Sequence, residues 1–295
     1  MTVETAEFLE RCREDVERTL ARAWPEAPPE LARLHEAMRY SLDAGGKRLR
    51  PALCLAACEA VGGAPEAALP VAAALELVHT YSLIHDDLPC MDDDDLRRGR
   101  PTNHRVFGEA LAVLAGDALL TRAFGILAEE GRLAADVRIA LVADLARSAG
   151  SLGMVGGQAL DLAAEGRPVD AAALRGIHAR KTGALIAAAC RMGGRAGGAS
   201  PEDLARLERF GERVGLAFQI ADDLLDETAT PEELGKASRK DRERGKATYP
   251  GLLGQEESRA RLREAVAQAR DGIAPLGERG SALIGLARFV AERTS

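Results

Sequence analysis

The sequence predicts an all-α protein, and three observations carry that prediction. Aromatic residues make up only 3% of the 295, and runs of Val, Ile, Tyr and Phe that would build strands are missing. Alanine and leucine, both strong helix formers, are abundant instead. Apolar residues recur at helical spacing along nearly the whole chain, punctuated by Gly and Pro. With 46% hydrophobic and 29% charged residues the balance is that of a globular protein with a large core. The length admits one large domain or two small ones.

Each element follows from that punctuation. Residues 30–44 read as an amphipathic helix stopped by Gly45-Gly46. Pro51 opens the next helix, which runs to about Val61 and ends at Gly62-Gly63-Ala64-Pro65. The stretch 68–87 is long, nearly uncharged and apolar on more than one side, which predicts a central, buried helix. Further helices are expected near 107–129, 134–149, 170–190, 201–227 and 256–293. The polar stretch 226–250, rich in Lys, Arg and Glu and without an apolar stripe, reads as a partly ordered loop. SLIHDD at 82–87 and FQIADD at 218–223 both end an apolar run with paired aspartates. Two such helices can face each other across a bundle, each presenting carboxylates at one end of a shared cavity.

Charge and composition exclude several classes. Lys and Arg number 39 against 46 Asp and Glu, a formal charge of −7, which argues against general nucleic-acid binding. Five cysteines without paired spacing read as reduced thiols of a cytoplasmic protein. Glu4, Glu7 and Glu10 argue against a secretory leader, and no uninterrupted apolar run reaches eighteen residues, so no membrane span is expected.

The chemistry lies in the aspartates. Of 19 in the chain, Asp86, Asp87, Asp92, Asp93, Asp94 and Asp95 form one cluster and Asp222, Asp223 and Asp226 another. They follow the most apolar helices, where unpaired carboxylates repel and lose hydration, so cations belong between them. Asp222 and Asp226 are one turn apart on a single face. Asp86 and Asp92 share a side only if Pro89 breaks the helix, and the spacing leaves Asp92 and Asp93 as rivals for the ligand position. An all-oxygen set without Cys or His suits magnesium, or manganese, completed by substrate phosphates. Basic residues surround these clusters: Gly45-Gly46-Lys47-Arg48-Leu49-Arg50-Pro51, Arg97-Arg98-Gly99-Arg100, Lys181-Thr182-Gly183, Gly235-Lys236 and Lys246. Metal on one side and forked donors on the other is what a diphosphate needs. His79 lies two turns before Asp86 on the same face.

These motifs resemble those of the trans-polyprenyl diphosphate synthases, most closely the bacterial farnesyl diphosphate synthases. The matching segments are GGKRLRP at 45–51, ELVHTYSLIHDDLPCMDDDDLRRGRPTNH at 76–104, GMVGGQALDL at 153–162, KTG at 181–183, FQIADDLLD at 218–226 and GKASRKDRERGKATYP at 235–250. They run in the family's order, with Arg239 standing where such proteins often carry glycine. The resemblance implies one all-α domain over 1–295, a helical bundle around a deep central cavity, assembled as a homodimer. It implies that Asp86, Asp92 and Asp222 bind magnesium, with Asp87, Asp223 and Asp226 as supporting or water-mediated ligands. It implies that Arg97, Lys181 and Lys236, with Lys246 near them, hold an allylic diphosphate. Lys47, Arg50, His79 and Arg98 would hold the diphosphate of isopentenyl diphosphate, and the C-terminal helix ending in Arg293 would close over that site. Thr182 and Gln219 would steady an allylic cation, and the reaction would run by ionisation, condensation and elimination.

An aromatic at position 81 with a small residue at 82, next to the Pro-containing insertion at 89–90, resembles the bacterial farnesyl type. Tyr81 and Ser82 would then set a fifteen-carbon product. The other readings are a geranylgeranyl or geranyl diphosphate synthase, a class I terpene cyclase and a catalytically idle partner subunit.

Overall fold

The computed structural model describes residues 1–228 and 247–292. Fourteen α-helices account for nearly all regular structure among them. In chain order they are α1 (Val3–Ala23), α2 (Ala32–Leu42), α3 (Leu49–Ala60), α4 (Pro65–Asp86), α5 (Asn103–Phe107), α6 (Glu109–Glu129), α7 (Ala135–Ala149), α8 (Met154–Ala164), α9 (Ala171–His178), α10 (Ala184–Ala196), α11 (Pro201–Thr228), α12 (Tyr249–Leu253), α13 (Gln255–Ile273) and α14 (Ser281–Glu292). The strands are two-residue pieces, β1 (Leu96–Arg97) and β2 (Arg100–Pro101), paired antiparallel with Arg97 opposite Arg100.

The core sits where α4 packs on α6 and α3, and where α10 packs on α3 and α11. Pro65 starts α4 at a position where no backbone N–H is needed. Its interior is buried on every side, with Val71, Leu75, Leu77, Val78 and Ile84 all within 1% exposure, as a stripe-less apolar helix requires. Roughly 1.5–3 kcal/mol of transfer free energy accompanies each such side chain. The helix ends at Asp86, where polar residues and Pro89 follow.

Several sequence expectations need correction. Helix α1 is absent from the reading above. It is an amphipathic helix capped by the Thr2 hydroxyl, and Phe8, Cys12, Val16 and Leu20 form its buried stripe. The helix expected at 170–190 is three pieces: α9, a π-helical turn at Ala179–Gly183, and α10. The helix expected at 256–293 breaks over Ala274–Gly280, where Gly277 adopts φ +62°, a conformation that glycine reaches without a Cβ penalty. Three stretches, Pro65–Asp86, Glu109–Glu129 and Ala135–Ala164, are long and apolar enough to cross a membrane by length and composition. None of them is an uninterrupted apolar run, since isolated charges such as Glu76 and Asp117 lie within them. In Pro65–Asp86, 72% of the apolar window is buried inside the protein, so this hydropathy is that of a core helix.

Candidate active site

The end of α4 builds the acidic side. After Asp86 the chain loops through Pro89, and the Asp92 N–H donates to the Asp86 carbonyl at 2.8 Å. The Asp93 and Asp94 N–H groups close the same loop on the Leu88 and Asp87 carbonyls, at 3.1 and 3.2 Å. This fold-back puts Asp92 beside Asp86, while Asp93 takes φ +49° on the exposed edge. Burial pushes the Asp86 carboxyl up to about 6; nearby Lys181 opposes this and the Asp92 charge adds to it. Of the two aspartates, it is the Asp92 charge that raises Asp86.

Asp87 is buried and held by Arg97, whose Nε lies 2.8 Å from both carboxylate oxygens. Burial still raises the Asp87 carboxyl, against that hydrogen bond and the guanidinium charge. Arg97 therefore stands next to the acidic cluster with part of its fork already committed.

Opposite, the π-helical turn presents Lys181 and Thr182. A π turn inserts one extra residue and re-aims the side chains around it. The turn is fixed from behind by α8, because a Cβ on Gly157 would overlap the backbone of Arg180 and Lys181. Lys181 Nζ donates to Asp161 Oδ2 at 2.6 Å. The Thr182 hydroxyl donates to Gln219 Oε1 at 3.0 Å, and Gln219 Nε2 donates to Asp223 Oδ1 at 2.8 Å. Asp223 Oδ2 accepts the Tyr249 N–H at 2.8 Å. Asp223 is thus a buried anchor between α11 and α12, with burial lifting its carboxyl to about 7 against these hydrogen bonds. Both of its oxygens are engaged by protein donors. Asp222 and Asp226 are half-buried on the same helix. Among the described residues no three His, Cys, Asp or Glu side chains close up into a ready-made metal cage.

The basic loop builds a second pocket of about 390 Å³, lined among others by Lys47, Arg48, Arg50, Glu76, His79 and Arg98. Arg48, in the left-handed region at φ +46°, caps α3. Arg98, also at positive φ, donates to the Gly45 carbonyl and fills the space where a Gly46 Cβ would lie 2.6 Å from its nitrogen. Arg50 Nε is buried without a hydrogen-bond partner among the described residues, and burial lowers the Arg50 guanidinium to about 10. Burial first, then the charges of Arg50, Arg98, Arg97 and Arg48, hold His79 well below the usual histidine range, so its ring is neutral. Lys47 Nζ lies 5.6 Å over the Phe289 ring of α14.

Below the acidic end, Tyr81 is buried and packs edge-on against His85, with ring centroids 5.6 Å apart. Ser82 is half-buried and donates to the His79 carbonyl at 2.9 Å. His85 Nε2 lies 3.1 Å from the Val113 carbonyl and occupies the space left by the missing side chain of Gly116. Lys236, Arg239, Lys246 and Arg293 lie outside the described residues. The sequence pattern gave no role to Glu76, Asp161 or His85, and placed Arg48 only among the basic residues around the site. Glu76 carried a readable signal, being the one acidic residue inside the most apolar segment of α4.

The family profile for polyprenyl synthetase matches residues 31–275. A geranylgeranyl diphosphate synthase of Cyanophora paradoxa is 46% identical over 290 residues, covering 98% of this chain and 96% of its own. A farnesyl diphosphate synthase of Geobacillus stearothermophilus is 45% identical over 289 residues, covering 97% of each. The solved structure of a geranyltransferase from Helicobacter pylori, complexed with magnesium and isoprenyl diphosphate, superposes with a TM-score of 0.86 at 33% identity, covering 99% of this chain and 98% of that one. This all-α chain, matched at this identity over nearly its whole length, belongs to the polyprenyl synthetase family and is a trans-prenyltransferase.

Proposed function

We propose that the protein condenses isopentenyl diphosphate with dimethylallyl and geranyl diphosphates and releases farnesyl diphosphate. The observation that carries this reading is the second pocket. It gathers Lys47, Arg50, His79 and Arg98 beside an acidic site, so two diphosphates can be held at once. A terpene cyclase, which takes a single diphosphate, has no use for it.

Magnesium, with manganese as the alternative of the same hard class, fits the acidic side. The donors are carboxylate oxygens alone, and at half-buried Asp86 desolvation outweighs the nearby positive charge, so its carboxyl lies above the ordinary range. Asp86, Asp92 and Asp222 would hold the ions, the remaining positions being filled by substrate oxygens and water. When bound, they supply the positive charge that makes diphosphate a good leaving group. The magnesium named with the Helicobacter pylori enzyme supports this assignment.

The chain's own groups do the rest. Lys181 and the uncommitted donors of Arg97 orient the allylic diphosphate, with Lys236 and Lys246 in the same role. Because the Thr182 proton is already given to Gln219, the Thr182 oxygen keeps lone pairs to turn toward a developing allylic cation. His79 is neutral amid arginines and makes a poor base, which leaves the departing diphosphate as proton acceptor. Tyr81, backed by His85, forms the floor that stops chain growth at fifteen carbons, with Ser82 leaving room above it. The exposed apolar residues Val113, Leu114 and Ile139 on α6 and α7 support a homodimer. The free state of all five cysteines, four of them buried, supports a reducing, cytoplasmic setting.

The test is turnover of purified protein with isopentenyl and dimethylallyl diphosphates and magnesium, followed by chromatography of the dephosphorylated products. Farnesol is expected. A geranylgeraniol product would transfer the chain to the twenty-carbon class that its relatives also include, and no condensation at all would overturn the reading.

A further inference from the structure

We propose that the buried ion pair between Arg48 and Glu76 is a positioning device that sets the shape of the isopentenyl diphosphate pocket, with neither residue binding the substrate's reacting atoms. This rests on the reading that the basic pocket takes that diphosphate.

Both side chains are only 3% exposed. Arg48 Nη1 donates to Glu76 Oε1, and Nη2 donates to the Leu42 carbonyl at 2.7 Å. One guanidinium thus ties the end of α2 to the middle of α4, across the loop that carries Lys47. That loop is held in an unusual backbone state, with Gly45, Gly46 and Arg48 all at positive φ. For Arg48 this is a conformation L-residues avoid, and its burial and two hydrogen bonds are what hold it there. Arg50 lies one residue into α3, just past that cap, and His79 lies one turn beyond Glu76 on the same face of α4. The pair therefore fixes the backbone from which Lys47, Arg50 and His79 all project.

Among the described residues, Glu76 is also the one carboxylate lining the pocket, against four cations. Two roles are open to it, with opposite signs. As a mere countercharge it would repel an incoming anion, and its removal would tighten binding. As a positioning residue its removal frees Arg48 and loosens the loop, and binding weakens.

The experiment compares Glu76→Gln, Arg48→Met and Arg48→Lys in the full-length protein with magnesium present. KM is measured separately for isopentenyl diphosphate and for geranyl diphosphate, and isopentenyl diphosphate is titrated alone by calorimetry. The proposal expects the isopentenyl KM to rise at least tenfold in Glu76→Gln and Arg48→Met, while the geranyl KM stays within twofold. Arg48→Lys, which keeps the charge facing Glu76 but loses the fork to Leu42, should fall between wild type and Arg48→Met. An unchanged or lowered isopentenyl KM in Glu76→Gln overturns the proposal, as does an equal loss for both substrates. If Glu76→Gln does not fold, the order of wild type, Arg48→Lys and Arg48→Met decides the matter by the same two constants. Failure of wild-type protein to bind isopentenyl diphosphate would instead strike the underlying reading of the pocket.

Discussion

At Asp86 the folded chain tolerates a charge in poor surroundings. Its carboxyl, raised from 3.8 to about 6, binds a proton more tightly in the native than in the unfolded chain. Native stability from this group is thus greatest below about pH 4 and is lost as the pH climbs through 6. Asp86→Asn should remove that slope, so melts of metal-free protein should coincide with wild type at pH 4 and lie a few degrees above it at pH 7.5. Turnover of the same variant should drop by at least about a hundredfold, roughly 3 kcal/mol of transition-state stabilisation. Asp222→Asn should show that loss of turnover at saturating magnesium with little change in melting temperature. Tyr81 tests the other end of the chemistry. Removing its ring opens a cavity at a cost of about 3–5 kcal/mol by analogy with other aromatic truncations. Tyr81→Ala should therefore melt lower and extend its product to twenty carbons or more, whereas Ser82→Phe should shorten it to ten. A fifteen-carbon product from both, read by chromatography, would place the floor elsewhere.

Among the elements, the π turn between α9 and α10 matters most, because it carries both Lys181, paired with Asp161, and Thr182, bonded to Gln219. Gly157→Ala forces α8 away from that turn. Overpacking of this kind costs about 1–3 kcal/mol. A fall in kcat of tenfold or more, with far-ultraviolet circular dichroism retained, is the expected outcome; wild-type kcat would mean the turn is held by other contacts. The elements divide cleanly by how far they could be read. The apolar period and Gly-Pro punctuation revealed α2, α3, α4, α6, α7 and α11 because those helices obey local rules. The fold-back that brings Asp92 to Asp86 was readable only as a choice between two aspartates, since it depends on which carbonyl a loop N–H finds. The π turn was hidden because the side-chain pattern of 170–190 keeps its apolar residues across the insertion. The anchoring of Asp223 was not legible, because the Tyr249 N–H that it accepts lies 26 residues away.

At the scale of the whole molecule, the homodimer proposed above rests on the exposed apolar residues of α6 and α7, with Leu114 54% and Ile139 70% accessible. Sedimentation of wild type should give twice the chain mass, and Leu114→Glu combined with Ile139→Glu should give a monomer; a wild-type monomer would remove the dimer from the reading. The acidic-side loop and the basic loop are also not separate parts. Arg98 leaves β1 next to Arg97, crosses over, and sits with its guanidinium against Gly46, donating to Gly45. Arg97 and Arg98 thus tie one dipeptide to both halves of the site. Anyone transplanting substrate preference between relatives by exchanging residues 88–101 alone would bring an arginine with no socket to receive it, and would have to exchange residues 43–50 with it as a single matched cassette.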